Sequence, residues 1–213
     1  MNPFLTVQYK KVILCAMARP REFDEAEALD RAMVVFWKKG YQNTSLDDLL
    51  EAMGIQRGSF YNTFGSKKET YLRALDRYIE FMFDGGPFTE AAHMEPGLGA
   101  LAAMSDNYID SVTGDAEPRG CFFAHVSKEH RGNDPVIQQA VVKGIERMRA
   151  MVKRSIEAAQ RDGDFPQDVS AHDMALLFQS VAWGIHVMAE AGIPKEDLKT
   201  AMSQFFVMTQ APV

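Results

Sequence analysis

The stretch from Thr44 to Lys67, TSLDDLLEAMGIQRGSFYNTFGSK, leaves little freedom in what this chain can become. Leu46, Leu49, Leu50 and Met53 recur at i, i+3, i+4 and i+7, the spacing of one buried stripe on a helix. Ser45 followed by Asp48 predicts an N-terminal cap, so the helix begins at about Leu46, and Gly54 stops it. Ile55 anchors the turn, and Phe60 and Phe64, four apart, pack a second short helix back on the first. Gly58 and Asn62 then point outward, flanked by Arg57 and Tyr61. A planar cation, a small residue, a phenol and an amide on one outward face suit phosphates and base edges in a major groove. Ser66 with Glu69 is a full capping box, so a third helix opens there. Lys67 and Lys68 lie in its first turn, where positive charge opposes the helix dipole and favours an outside anion such as phosphate.

The rest of the chain fits that reading. Its 213 residues, 46% apolar and 24% charged, form one large or two modest globular domains. Helical spacing dominates, nothing alternates as a strand, and no apolar run approaches the roughly 20 residues of a membrane helix. An all-α fold is expected. The net charge of −6 is unevenly placed: residues 1–84 hold 12 Lys/Arg and 12 Asp/Glu, and the remainder holds 11 and 17. The excess acid lies outside the reading segment, so a duplex is bound through placed cations while the other half is repelled. Two cysteines, Cys15 and Cys121, make no disulfide framework, and the N-terminal segment has its charge too late and its apolar core too short for an export signal. A reduced cytoplasm is the expected setting.

A first helix from Asp24 carries Leu29, Ala32, Met33, Phe36 and Trp37, and Gly40 ends it after Lys38 and Lys39. Phe36 and Trp37 are expected to pack on Leu49, Leu50 and Phe64. Ahead of it, Arg19 and Arg21 form either a basic arm for the duplex or a solvated tail. The helix opened by Ser66 runs through Met82 to Asp84-Gly85-Gly86-Pro87, where the domain boundary falls, followed by a loose stretch to Pro96-Gly97. Such a rod converts a shift at its far end into a displaced reading head. Further helices are predicted over Leu98 to Val112, from Cys121 to His130 or Arg131, and from Asp134-Pro135 to Arg161. The last two, about Ala171 to Ala191 and Lys195 to Thr209, have apolar stripes wide enough for internal packing and a second copy, giving a homodimer through a four-helix bundle.

No nucleophile elbow, phosphate-cradling loop or zinc-binding cysteine pair is present, so no enzyme, cofactor or metal is expected. Cys121, His125 and Glu129 fall at i, i+4 and i+8 on one helix face. Three readings are open: a buried apolar cysteine beside a hydrogen-bonded His, a reactive thiol whose pKa the helix N-terminus lowers, or a soft metal site. In the second half, Tyr108, Cys121, Phe122, His125, Met148, Phe178 and Trp183 are candidates to line an apolar cavity for a small molecule, with Phe123, Met151 and His186 nearby.

The run GYQNTSLDDLLEAMGIQRGSFYNTFGSKKETYLRAL also resembles the DNA-binding domain of tetracycline-repressor (TetR) type regulators. It has the Gly-aromatic and Thr-Ser start, the Gly-Ser-Phe-Tyr recognition helix and the Phe-x-Ser-Lys exit. By that resemblance Thr44, Ser45, Ser59, Tyr61 and Lys67 hold phosphates, and Arg57, Gly58 and Asn62 lie nearest the bases. Gln56 departs from the pattern, which has Ser or Thr as the cap there, so the recognition helix is expected to start at Arg57. MARPREFDEAEAL, from Met17, resembles a natural family start, which makes residues 1–18 a poorly ordered extension. The resemblance implies a three-helix DNA-binding domain over 19–84, with its helix-turn-helix at about 45–64. A long helix joins it to a helical effector-binding and dimerisation domain over 85–213. The implied protein is a homodimeric repressor released from a palindromic DNA operator by a small apolar effector. The alternatives are a thiol-based regulator acting through Cys121 and a helical adaptor that keeps the fold without binding DNA.

Overall fold

The computed structural model describes residues 23–114, 121–130 and 134–209, and every regular element among them is a helix. In chain order these are α1 (Glu25–Asn43), α2 (Leu46–Met53), α3 (Arg57–Phe64), α4 (Lys67–Phe83), α5 (Thr89–His93), α6 (Leu98–Thr113), α7 (Phe122–His130), α8 (Pro135–Asp162), α9 (Ala171–Glu190) and α10 (Lys195–Thr209). The N-terminal extension with Cys15, Arg19 and Arg21, and the segment 115–120, lie outside the described residues.

The helix ends follow local chemistry. Asp24 caps α1 by accepting from the Glu27 amide. Ser45–Asp48 and Ser66–Glu69 are both reciprocal capping boxes. Gly54 ends α2 in the left-handed region at φ 67°, and Gly163 does the same for α8 at φ 84°. Asp134 caps α8, with Pro135 in its first turn. Two details depart from expectation. Gly40 breaks the helical dihedrals of α1 (φ 77°, ψ 170°), yet one more turn continues to Asn43. The stretch expected to be loose holds α5, tied down where the Thr89 hydroxyl bridges the Gly85 amide and the Gly86 carbonyl.

Helices α1 to α4 enclose Leu49, Phe60, Phe64, Phe36 and Tyr71, all buried. The Trp37 ring meets Tyr78 of α4 edge-on at 4.9 Å and stacks on Phe122 of α7 at 6.2 Å, so its ring contacts lie toward the second half rather than on the Phe64 side that its spacing suggested. Phe122 and Phe123 are fully buried between the halves, and Gly144 of α8 lets Phe123 approach so closely that a Cβ would overlap its ring. The buried residues therefore form one continuous cluster from Ala28 to Phe205. In the second half α8 packs on α4, α6, α7 and α9, α7 also packs on α1, and α9 and α10 pack on each other and on α6.

Candidate nucleic-acid interface and sensing cavity

Helix α3 is short and held from behind. Phe60 and Phe64 bury its inner side, and Arg73 of α4 donates to the Thr63 carbonyl at 3.1 Å while pairing with Glu25 at 2.6 Å. The Arg73 guanidinium also lies 4.8 Å over the Phe64 ring. Arg77 grips Asp30 of α1 through two bonds, so α4 clamps the three-helix unit together. What remains outward on α3 is Arg57, Gly58, Tyr61 and Asn62, with Ser59 half-buried beside them. Tyr61 is 51% exposed on this face. A Cβ at Gly58 would meet nothing within 4 Å, so the helix surface there is open to close approach. Gln56 makes no side-chain cap, which leaves the first amides of α3 free of side-chain partners at the positive end of its dipole.

Charge on this face is held in reserve by acids. Arg57 pairs with Asp47 at 2.8 Å, both well exposed, a pair weak enough for a phosphate or base to displace. Lys39 pairs with Asp48 at 2.6 Å; its hydrogen bond, with those from Ser45, holds the Asp48 carboxyl far below the usual carboxylate range. Lys67 lies 4.4 Å over the Tyr41 ring, and partial burial lowers its pKa. Lys68 instead reaches Asp134 of α8 at 2.7 Å. One candidate phosphate ligand needs correction. Thr44 is 1% exposed and its hydroxyl donates to the Gly40 carbonyl at 2.6 Å, so its side chain braces the turn before α2. Ser45 is exposed on the same edge.

The second site is a cavity of about 40 Å³ between α4, α6, α8 and α9. Tyr108, Cys121, Met148, Phe178 and Trp183 line it as expected, together with Met82, Phe88 and Met104. At this size it holds a few waters at most. Arg149 and Gln179 also line it but satisfy each other: Arg149 Nε donates to Gln179 Oε1 at 3.0 Å, and Gln179 Nε2 to the Ile145 carbonyl at 3.2 Å. The Tyr108 hydroxyl is buried and has no hydrogen-bond partner, and burial raises its pKa well above that of a free phenol.

Two expected lining residues are elsewhere. Phe122 turns away from the cavity into the junction with Trp37, Tyr71 and Tyr78. His125 is exposed on the outer side of α7. The Cys121–His125–Glu129 face thus serves three separate environments, and among the described residues no cluster of His, Cys, Asp and Glu is placed to hold a metal. Cys121 is buried, and desolvation pushes its thiol pKa up, outweighing the hydrogen bonds from the Ala124 and Phe123 amides and from Tyr78 that act the other way. This opposes the activated thiol. Sequence reasoning missed the role of His186. Its Nδ1 accepts from the Cys121 amide at 3.3 Å, its Nε2 faces Glu190 at 3.3 Å, and burial lowers its pKa, so the neutral ring bridges α7 and α9. Phe88 and Gln179 carried no signal, since one lies in a stretch read as loose and the other on a helix with no visible partner.

On the outer face of α9, Leu176, Leu177, Val187 and Met188 are exposed, as is Val207 on α10. No helix among the described residues is long and apolar enough to cross a membrane.

Two family descriptions match the chain: "Bacterial regulatory proteins, tetR family" over residues 28–74 and "Tetracyclin repressor-like, C-terminal domain" over residues 97–205. The "HTH-type transcriptional repressor ComR" of Escherichia coli (strain K12) is 28% identical over 188 residues, 84% of this chain and 86% of that protein. The "Uncharacterized HTH-type transcriptional regulator YezE" of Bacillus subtilis (strain 168) is 34% identical over 122 residues. That match covers 56% of this chain and 61% of YezE, less than two thirds of its length. Among solved structures, a cysteine mutant of the TetR family transcriptional regulator CifR, complexed with 26bp double-strand operator DNA, superimposes with a TM-score of 0.77. It is 27% identical, over 88% of this chain and 98% of that one.

Proposed function

Since the chain belongs to the TetR family of DNA-binding transcriptional regulators, not to a family of enzymes, we propose that it is a cytoplasmic repressor that pairs through α9 and α10, places two copies of α3 in successive major grooves of a palindromic operator, and leaves the DNA when a small apolar molecule enters the cavity. The observation that carries the reading is the outward face of α3: Arg57, Gly58, Tyr61 and Asn62 stand exposed on a helix whose other side is buried. Arg57 and Asn62 offer bidentate donors and acceptors to base edges, with Gly58 allowing close approach. Ser45, Ser59, Tyr61 and Lys67, with the uncapped amides of α3, hold phosphates and set the register. The DNA-binding unit spans residues 19–84 and the sensing and pairing unit 85–213, the division falling where α4 ends.

The apolar face of α9 and α10 supports pairing, and half-sites about 34 Å apart require two reading helices in one particle. The operator complex of CifR supports the same mode of binding. Desolvated Cys121 disfavours a thiol switch. The lining supports an effector class: an uncharged, largely apolar molecule with one acceptor for the Tyr108 hydroxyl, since Arg149 and Gln179 are already hydrogen-bonded to one another. Forming that bond relieves a buried unsatisfied donor, a cost of roughly 1–3 kcal/mol.

A gel shift with DNA upstream of the protein's own gene tests the proposal. A regulator of this kind shows sequence preference, and its affinity falls steeply as salt rises. Binding that is weak and indifferent to sequence identifies an adaptor instead.

A further inference from the structure

The break at Gly40 turns the amides after it out of the helix, and they find their acceptor far away in the chain. Tyr41 N–H donates to Glu129 Oε2 at 2.8 Å and Gln42 N–H to Glu129 Oε1 at 2.5 Å. One carboxylate thus grips two successive amides of the reading half. The fit depends on glycine: Gly40 has φ 77°, and a Cβ there would lie 3.0 Å from Glu129 Oε2. Glu129 sits on the last turn of α7. At the other end of that nine-residue helix, Cys121 lines the cavity and its amide is held by His186, while the Phe122 amide points at the Tyr78 hydroxyl at 3.4 Å. The gripped segment leads directly to the DNA edge. The Tyr41 ring lies under the Lys67 ammonium, and Thr44 and Ser45 follow it. A second, more exposed tie, Lys68 to Asp134, lies just beyond on α8.

We propose that Glu129 is a positioning residue for DNA binding: its carboxylate clasps the Tyr41 and Gln42 amides and holds the reading head at the angle at which the dimer meets its operator. The inference rests on the reading of α3 as the DNA-contacting helix. The clasp belongs to the DNA-binding arrangement, because the cavity at the far end of α7 is too small here for an organic effector, and a repressor released by its effector binds DNA when empty. Glu129 touches no DNA. It acts through the backbone that leads to Ser45 and through the Tyr41 ring that lies under Lys67.

The test uses the full-length dimer, DNA selected by the wild-type protein, and the variants Glu129→Ala and Glu129→Gln. Glu129→Ala should weaken operator binding about tenfold, within the usual range of coupling between sites. Dimerisation and the salt dependence of binding should stay unchanged, because no phosphate contact is lost. Glu129→Gln keeps one acceptor oxygen and should fall between the two. In both variants the Tyr41 and Gln42 amide resonances should move. Wild-type affinity in Glu129→Ala with those resonances displaced overturns the positioning role. Resonances that stay in place in both variants show that the clasp does not exist in solution. Absence of sequence-preferring binding by the wild type instead defeats the reading of α3, a separate outcome.

Discussion

The two halves hold their shape by different means. From Ser45 to Glu69 each helix boundary but one is fixed by a side-chain cap or a positive-φ glycine, and Arg73 and Arg77 bolt the unit from behind. From Leu98 onward the helices are longer, their contacts are mostly apolar, methionines line a small cavity, and α9 leaves a face of leucine and valine uncovered. On the proposed function, stiffness is concentrated where a few side chains would meet fixed positions on a duplex, and compliance where the effector would enter and a second copy would fit. Between them lie Trp37, Tyr78, Phe122 and the Glu129 clasp, which belong to neither regime.

That junction offers the strongest way to break the contrast. Phe122→Ala empties a fully buried site shared by both halves and should cost about 3–5 kcal/mol, read by urea denaturation at fixed protein concentration. A single transition is expected; two would show that the halves fold independently. Next in size are the reading residues. Arg57→Ala and Asn62→Ala should each lose roughly 1–3 kcal/mol on the preferred site and relax base preference, whereas Lys67→Ala should weaken all sites evenly and lower the salt slope by about one. Equal behaviour of the two groups in competition binding removes the face assignment. Ser66→Ala, which deletes one arm of a capping box, should cost about 1 kcal/mol in thermal melts. Met148→Leu in the compliant half, a volume-conserving swap, should cost less still, under about 1 kcal/mol and near zero if the cavity adapts.

The smallest effect is a matter of pH. The folded-state pKa of Asp48 is depressed, so its contribution is present above the unfolded carboxylate value of about 3.9 and is lost as pH falls through the folded value. Asp48→Asn removes that contribution, so it should lower the neutral plateau slightly and flatten the acid limb of the stability profile.

The reading half was legible because its signals are local. Ser45, Gly54, Ser66 and Glu69 each act on amides within four residues, and Gln56 announced its own failure to cap. The helices of the second half were equally visible from Asp134-Pro135 and from their stripes. What stayed hidden was long range. Trp37 and Phe122 have helical spacing that says only that they are buried, and the partner that covers each is set by how α7 crosses α1 and α4. Thr44 looked like a free hydroxyl until the turn at Gly40 supplied an acceptor. Cys121 sits at a helix start, where the dipole argues for activation, but desolvation wins once Tyr108, Phe122 and α9 close around it. Glu129 joined the wrong group altogether, since an acceptor for amides 87 and 88 residues away leaves no trace in local spacing.

The most direct measurement is selection of bound sequences from random duplex DNA by the purified protein. Two inverted half-sites with centres about one helical turn apart, or a multiple of it, are predicted, with enrichment lost in a variant bearing both Arg57→Ala and Asn62→Ala. A single unsymmetrical site, no enrichment at all, or enrichment that survives in that variant contradicts the placement of α3 as a pair of reading helices.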